Sequence, residues 1–75
     1  MAVIKTGNSQ HDADLAAAEG TRQVALGAAG LTQVQARTAD IAYARTCLAS
    51  SIAKNNGANA ALFKEMLMEL GTGGS

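Results

Sequence analysis

Large side chains and cysteines are scarce in this 75-residue chain. It has one cysteine, Cys47, two aromatic residues and no proline or tryptophan, and 17 of its 36 hydrophobic residues are alanine. A single cysteine and a single histidine exclude an internal disulfide and a structural metal site built on such ligands. A buried methyl group contributes much less than the roughly 1.5 to 3 kcal/mol of a larger buried apolar side chain, so an alanine core leaves a domain of this size marginal. We therefore expect the chain to associate with copies of itself or with a larger partner.

Charge of either sign and long apolar runs are also scarce. Six basic and six acidic residues are scattered along the chain and give a net charge of zero, so no basic patch predicts binding to nucleic acid. The uncharged segment 24–36 is shorter than the roughly 20 predominantly apolar residues of a membrane span. No apolar region follows the N-terminal MAVIK as it would in a signal peptide. We expect neither nucleic acid nor membrane as a partner, and a location in the cytoplasm or in a virion assembled there.

The remaining pattern is helical and predicts an all-α fold in a single small domain spanning residues 1–75. The arm at 1–8 contains the short extended run AVI, and GTGGS at 71–75 predicts a mobile tail. An S-x-x-D pattern from Ser9 begins helix 1 near residue 10, and Asn59 caps a third helix over about 59–70. The apolar face of that third helix comprises Leu62, Phe63, Met66, Leu67 and Leu70.

Two glycines leave two architectures open for residues 10–55. In the first, Gly30 ends helix 1 near residue 29 in a left-handed conformation, and Thr32 with Gln35 forms a capping box that begins helix 2 near residue 33. The chain then forms a helical hairpin of about 10–29 and 33–55. In the second, one continuous helix of roughly 69 Å runs from about 10 to 55 through Gly27 and Gly30. The agreement between Gly30 and the Thr32 capping box favours the hairpin.

A seven-residue repeat runs through the same region and predicts a packing seam. One ladder of the repeat is Gly20, Gly27, Val34, Ile41 and Leu48, and the ladder beside it is Val24, Leu31, Thr38, Arg45 and Ile52. The first half of the seam is small and the second half is large, so a hairpin would set one half against the other. A continuous helix would need another chain to fill the small half. In both architectures we expect Gly27 to lie in a close contact and to be intolerant of large residues.

A second weakly polar strip on helix 2 predicts a further contact. It comprises Ala29, Ala36, Tyr43 and Cys47. Helix 3 or a different chain could cover this strip, and both alternatives stay open. Arg45 interrupts the seam, where it could reach an edge or pair with an acid of another chain, and Met68 points away from the apolar face of helix 3. The candidate protein-interface residues are Gly20, Gly27, Val34, Ile41, Tyr43, Arg45, Cys47, Leu48 and Met68.

No set of residues has the composition and spacing of a catalytic, cofactor or metal site. We interpret His11 as part of a solvated first turn whose acids complement the helix dipole. Glu65 and Glu69 are interpreted as a solvated face, and Cys47 as a small packing residue because no basic residue lies one turn away. The chain also lacks the glycine patterns that bind phosphate. We therefore expect no enzymatic activity, cofactor or metal.

These features predict a non-catalytic structural or assembly subunit of a larger complex. Short, Ala/Gly-rich chains without net charge are typical, by analogy, of phage virion parts or prophage accessory proteins. Two other functions stay open: a soluble regulatory adaptor that binds one protein partner, and a small non-catalytic subunit of an enzyme.

Overall fold

The computed structural model describes residues 7–72, which form three α-helices. They are α1 (Ser9–Leu26), α2 (Gln33–Ala53) and α3 (Gly57–Glu69). The predicted helical hairpin with a short third helix is confirmed, and the single continuous helix is wrong because residues 27–32 form a turn between α1 and α2. Most of the predicted N-terminal arm and the last three residues of the predicted tail lie outside the described residues.

The turn between α1 and α2 contains the two signals that favoured a hairpin. Gly30 has a φ of 71°, in the left-handed region where glycine meets no steric penalty. Helix α1 nevertheless ends earlier than predicted, at Leu26, with Gly27 as its C-cap. The capping box of α2 is complete: Gln35 N donates to Thr32 Oγ1 at 3.1 Å, and Thr32 N donates to Gln35 Oε1 at 3.0 Å.

The N-terminal ends of α1 and α3 differ from the prediction, because each helix is capped by an asparagine other than the predicted cap residue. The side chain of Asn8, rather than Ser9, caps α1 by accepting from His11 N at 2.9 Å. The side chain of Asn56 caps α3 by accepting from Asn59 N at 3.0 Å. Asn59 therefore lies inside α3, where its side chain is buried.

The hydrogen bonds that close the C-terminal end of α3 involve the first residues of the segment that was predicted as tail. Gly71 has a φ of 86°, and Thr72 N donates to Leu67 O at 3.0 Å. The Thr72 hydroxyl donates to the same carbonyl, also at 3.0 Å. These bonds satisfy carbonyl groups that the helix end leaves open, so the first two residues of the predicted tail close α3.

Helix α2 lies in the middle and packs against both α1 and α3, each antiparallel to it. The hydrophobic core consists of Leu15, Ala18, Tyr43, Cys47 and Phe63, with Leu48 and Met66 packed at its edge. The rings of Tyr43 and Phe63 meet edge to face, with centroids 5.9 Å apart and an interplanar angle of 78°. This is a geometry that aromatic pairs prefer. The core therefore lies on the face of α2 that carries Tyr43 and Cys47.

The predicted packing of the small half of the seam against its large half is wrong. A Cβ built at Gly20 would meet no atom within 4 Å, and one at Gly27 would meet only carbonyl oxygens of its own helix. Val34 and Ile52 are 75% and 62% exposed. The hairpin closes instead around Leu15 and Tyr43, because these larger side chains bury more apolar surface than the glycine face offers. Within one chain, the expected intolerance of Gly27 to large residues therefore has no structural basis.

Candidate functional site

The predicted interface residues Tyr43 and Cys47 are buried in the core of the fold. They are 4% and 1% exposed and pack among Leu15 of α1 and Phe63 of α3. Of the two alternatives for this strip, cover by the chain's own helices is correct. A different chain could reach Tyr43 or Cys47 only if the helices separated.

Four of the other predicted interface residues lie on the opposite side of α2, together with Thr38 and Ile52. They are Val34, Ile41, Arg45 and Leu48. Nine residues, or about two and a half turns, separate Val34 from Tyr43 and Tyr43 from Ile52, which sets the first and last on the side away from the core. We call this surface the outer stripe of α2. It consists of Val34, Thr38, Ile41, Arg45, Leu48 and Ile52.

Most of the outer stripe is accessible to solvent. Val34 and Ile52 are its most exposed apolar members, and Thr38 and Arg45 are also exposed. Ile41 and Leu48 are half-buried. The stripe thus presents four aliphatic side chains on a helix whose opposite face already forms the core. A single amphipathic helix of a globular domain normally has one such face.

The remaining predicted interface residues are exposed but lie on other elements. Gly20 is on α1, Gly27 is in the turn, and Met68 is 63% exposed on α3. They do not form one surface with the outer stripe of α2. A role for them in binding another chain stays a prediction.

A buried polar network joins the three helices at the end of the bundle where α1 begins. His11 of α1 is fully buried, so its interpretation as a solvated residue is wrong. Its Nδ1 lies 2.7 Å from Ser50 Oγ of α2 and its Nε2 lies 3.1 Å from Asn59 Nδ2 of α3. Ser50 Oγ donates in turn to Asp14 Oδ2 at 2.8 Å. One polar side chain of α1 therefore reaches both other helices.

The directions of these hydrogen bonds follow from the donors available. Ser50 has one hydroxyl hydrogen, and it is donated to Asp14, so the Ser50 oxygen accepts from Nδ1–H of His11. The Nε2 atom then accepts from the amide of Asn59. The hydrogen bonds from Ser50 and then from Gln10 lower the pKa of Asp14, which keeps the carboxylate ionised as the final acceptor. Both ring nitrogens of His11 and the hydroxyl group of Ser50 therefore have hydrogen-bond partners.

The network contains serine, histidine and aspartate, but its order differs from that of a hydrolytic triad. In a triad the histidine accepts the serine proton and the aspartate orients the histidine. Here Ser50 donates directly to Asp14, and His11 donates to Ser50. Ser50 and His11 are also buried. The arrangement therefore holds helices together and does not activate the serine.

A small cleft lies between the three helices, away from this network. It has a volume of about 190 Å³ and is lined by Arg22, Asp40, Tyr43, Met66, Glu69 and Leu70. Arg22 Nε donates to Asp40 Oδ1 at 2.7 Å, and the Arg22 guanidinium lies 5.6 Å from the Tyr43 ring centroid. Two of the charged lining groups, Arg22 and Asp40, are thus engaged with each other. The cleft is also smaller than the roughly 300 to 1,000 Å³ of ordinary ligand pockets.

The Cys47 thiol shows no sign of chemical activation. Burial raises its pKa to about 11, and burial also raises the pKa of the neighbouring Tyr43 phenol to about 12. A nucleophilic cysteine needs a lowered pKa and access to a substrate. Its predicted role as a packing residue agrees with this position.

The sequence analysis missed the three residues that join the helices: His11, Ser50 and Asn59. A usable signal was present, because His11 precedes Leu15 by four residues and Ala18 by seven, and such spacing places all three on one helix face. Ser50 and Asn59 are polar, so hydrophobic periodicity does not identify them as buried residues. Their pairing also depends on the distance between helices, which spacing within one helix does not contain.

Neither metal-binding geometry nor known relatives assign a function. Among residues 7–72, no three His, Cys, Asp or Glu side chains are grouped so that they could hold a metal ion. None of the helices in this part of the chain is long and apolar enough to cross a membrane. No family model, curated protein or solved structure matches the chain.

Proposed function

We propose that this protein is a non-catalytic assembly subunit that binds another protein chain through the outer stripe of α2. The single observation that carries the proposal is the position of the stripe. Its aliphatic residues keep the seven-residue repeat of a helix-packing seam, yet Val34 and Ile52 face away from the core and Leu48 packs only at the edge of the core. A helix from another chain is the surface that such a repeat fits.

The small core supports the same proposal. Among residues 7–72, two of the seven buried hydrophobic residues are alanines, and burial in a domain of this size gives a narrow margin of stability. Covering Val34 and Ile52 would remove two large apolar side chains from water at a gain of roughly 1.5 to 3 kcal/mol for each one fully buried. Association through the stripe would therefore stabilise the chain as well as locate it in a complex.

The larger complex is proposed to be a phage virion or a prophage assembly, in the cytoplasm or in a particle assembled there. The supporting features are the short chain, its zero net charge and its alanine and glycine content. The charge pattern supports a protein partner over nucleic acid, because no cluster of basic residues is available to neutralise phosphates.

Site-specific photo-cross-linking in the native host tests the proposal. A photoreactive phenylalanine analogue replaces Val34, and in a matched control it replaces Val24, which is 80% exposed on α1 and outside the stripe. We expect Val34 to yield a covalent adduct with another protein chain at several times the Val24 level. Mass spectrometry of the adduct separates a repeated structural assembly from an adaptor bound to one enzyme or regulator. Equal labelling at the two positions, or none at Val34, would contradict a role for the stripe.

A further inference from the structure

The turn between α2 and α3 contains an asparagine followed by a glycine. Asn56 is the N-cap of α3 and Gly57 is its first residue. The first amide groups of a helix have no acceptor within it, and Gly57 N donates no hydrogen bond to any of residues 7–72. Gly57 is also exposed, and a Cβ built on it would meet no atom within 4 Å. Its backbone nitrogen is therefore open to the Asn56 side chain, since glycine has no side chain of its own to obstruct the approach.

Two neighbouring asparagines precede amides that are already engaged. Asn56 N, which follows Asn55, donates to Ser51 O at 2.8 Å. Ala60 N, which follows Asn59, donates to Asn56 O at 3.0 Å, and the side chain of Asn59 is itself buried. Asn55 and Asn59 therefore lack the free neighbouring amide that Asn56 has.

Asn8 offers a close comparison within the same chain. Its side chain also caps a helix, accepting from His11 N at 2.9 Å, as the Asn56 side chain accepts from Asn59 N at 3.0 Å. The residue after Asn8 is Ser9, whose β-carbon crowds the backbone nitrogen in a way that glycine does not. The two caps thus differ mainly in the residue that follows the asparagine.

We propose that Asn56 is a site of spontaneous deamidation, with hydroxide and water as the only co-reactants. Hydroxide removes the proton of Gly57 N, and this nitrogen attacks Cγ of Asn56. The new N–Cγ bond closes a succinimide ring while the bond from Cγ to Nδ2 breaks, and Nδ2 takes a proton from water and leaves as ammonia. Water then opens the ring at one of its carbonyl carbons. Attack at Cγ gives aspartate, and attack at the former backbone carbonyl gives isoaspartate.

The capping hydrogen bond controls how often the reaction can start. The side chain of Asn56 must turn to bring Cγ against Gly57 N, and this movement breaks the bond from Asn59 N. Helix ends open locally at a lower free-energy cost than the whole fold. The reaction in the native protein therefore proceeds through opening of the first turn of α3, at a lower rate than in the unfolded chain.

The two products have opposite effects on α3. Aspartate keeps an oxygen at the cap and adds a negative charge at the positive end of the helix dipole. Isoaspartate carries the chain through Cβ and Cγ, so the carbonyl of Asn56 that accepts from Ala60 N becomes a free carboxylate. The first turn of α3 then loses its bonding pattern. Because α3 supplies Phe63 and Leu67, which are fully buried, the isoaspartate product loosens the core.

Mass spectrometry tests the assignment of the site. The full chain is incubated at neutral and at mildly alkaline pH and then digested in acid, where the reaction stops. We expect Asn56 to deamidate at least about tenfold faster than Asn8, faster at the higher pH, and faster again in denaturant, which opens the cap. Gly57→Ala should slow the reaction at Asn56 about tenfold and keep the helix, because alanine is favoured in helices. Ser9→Gly is the reciprocal control and should accelerate the reaction at Asn8 about tenfold.

Hydrogen exchange of the aged protein tests the effect on the fold. Chains that contain isoaspartate, identified with an isoaspartyl methyltransferase, should exchange the amides of α3 several-fold faster than unaged protein. The Asn56→Asp variant has the sequence of the other product and should exchange at the native rate or below it. Equal deamidation rates at Asn56 and Asn8, or an unchanged rate in Gly57→Ala, would overturn the assignment of the site. Native exchange rates in the isoaspartate chains would overturn the effect on α3.

Discussion

Replacing Ser50 by alanine tests whether the buried polar network stabilises the fold. The substitution removes the acceptor for Nδ1–H of His11, which is fully buried, and the donor to Asp14. A buried donor left without a partner costs about 1 to 3 kcal/mol, whereas water can replace the lost bond at the half-exposed Asp14. We therefore expect the free energy of unfolding to fall by about 1 to 3 kcal/mol. This is a large share of the roughly 4 to 11 kcal/mol expected for 75 residues.

Thermal and denaturant unfolding at a fixed protein concentration measure this loss. Each kcal/mol should lower Tm by about 4 to 8 °C in a domain of this size. Ser51→Ala is the matched control: Ser51 is also buried, but its hydroxyl donates only to Cys47 O of its own helix, at 2.7 Å. Its loss should cost less than about 0.5 kcal/mol because that carbonyl keeps its helical hydrogen bond.

A double-mutant cycle with His11→Leu isolates the interaction between the two side chains. If the network acts as a unit, Ser50→Ala should cost little once His11 is absent, giving a coupling energy of about 1 kcal/mol or more. Equal losses for Ser50→Ala and Ser51→Ala, together with a coupling energy near zero, would refute the reasoning. That result would mean that the hydrogen bonds of the buried His11 do not contribute to the stability of the fold.

Three further substitutions follow from the geometry of single residues. Gly20→Ala should raise the free energy of unfolding by about 1 kcal/mol, since the helix there has open space for a methyl group. Gly30→Ala should lower it by about 1 to 2 kcal/mol, because φ is 71°, and both changes are read from denaturant midpoints. Thr32→Ala should cost about 0.5 to 2 kcal/mol through loss of the capping box. The Cys47 pKa rises from 9.0 to about 11 on folding, so its contribution to stability is complete below pH 9.0 and is lost as pH rises through about 11. Unfolding curves across that range should show a weaker pH dependence for Cys47→Ala, and near neutral pH the native thiol should react with a disulfide reagent only as fast as the chain opens.

The hairpin could be predicted because its signals are local. The capping box involves Thr32 and Gln35, which lie within one helical turn. Gly30 and Asn55 have positive φ values, and this conformation depends mainly on the type of residue at that one position. Such signals do not depend on what lies across the fold. The helix ends were less accurate because several candidate caps follow one another. Asn8 precedes Ser9, and either side chain has an oxygen suited to the role.

The core could not be predicted in the same way, because two faces of α2 carry plausible periodicity. The face with Val34, Ile41 and Ile52 is more aliphatic than the face that is buried. The buried face contains Tyr43 and Cys47 but also Ser50, whose hydroxyl is satisfied only when α1 is in place. Apolar content within α2 alone therefore favoured the outer stripe as the packing seam. The structure instead buries the face with Tyr43 and Cys47, where core packing and the hydrogen bonds of Ser50 join the helices.

The use of the less aliphatic face of α2 for the core links the stability of the chain to its proposed association. The inner face of α2 buries the apolar groups of Tyr43 and Cys47, and the hydrogen bonds of Ser50 on the same face have defined directions that fix which helices pair. On the outer stripe, aliphatic side chains such as Val34 and Ile52 release free energy on burial without requiring a unique geometry. Within the described chain that free energy is not used. It becomes available when another helix covers the stripe, so the inner face, with its core side chains and hydrogen bonds, can set the fold while the apolar outer face supplies the binding energy for the proposed assembly.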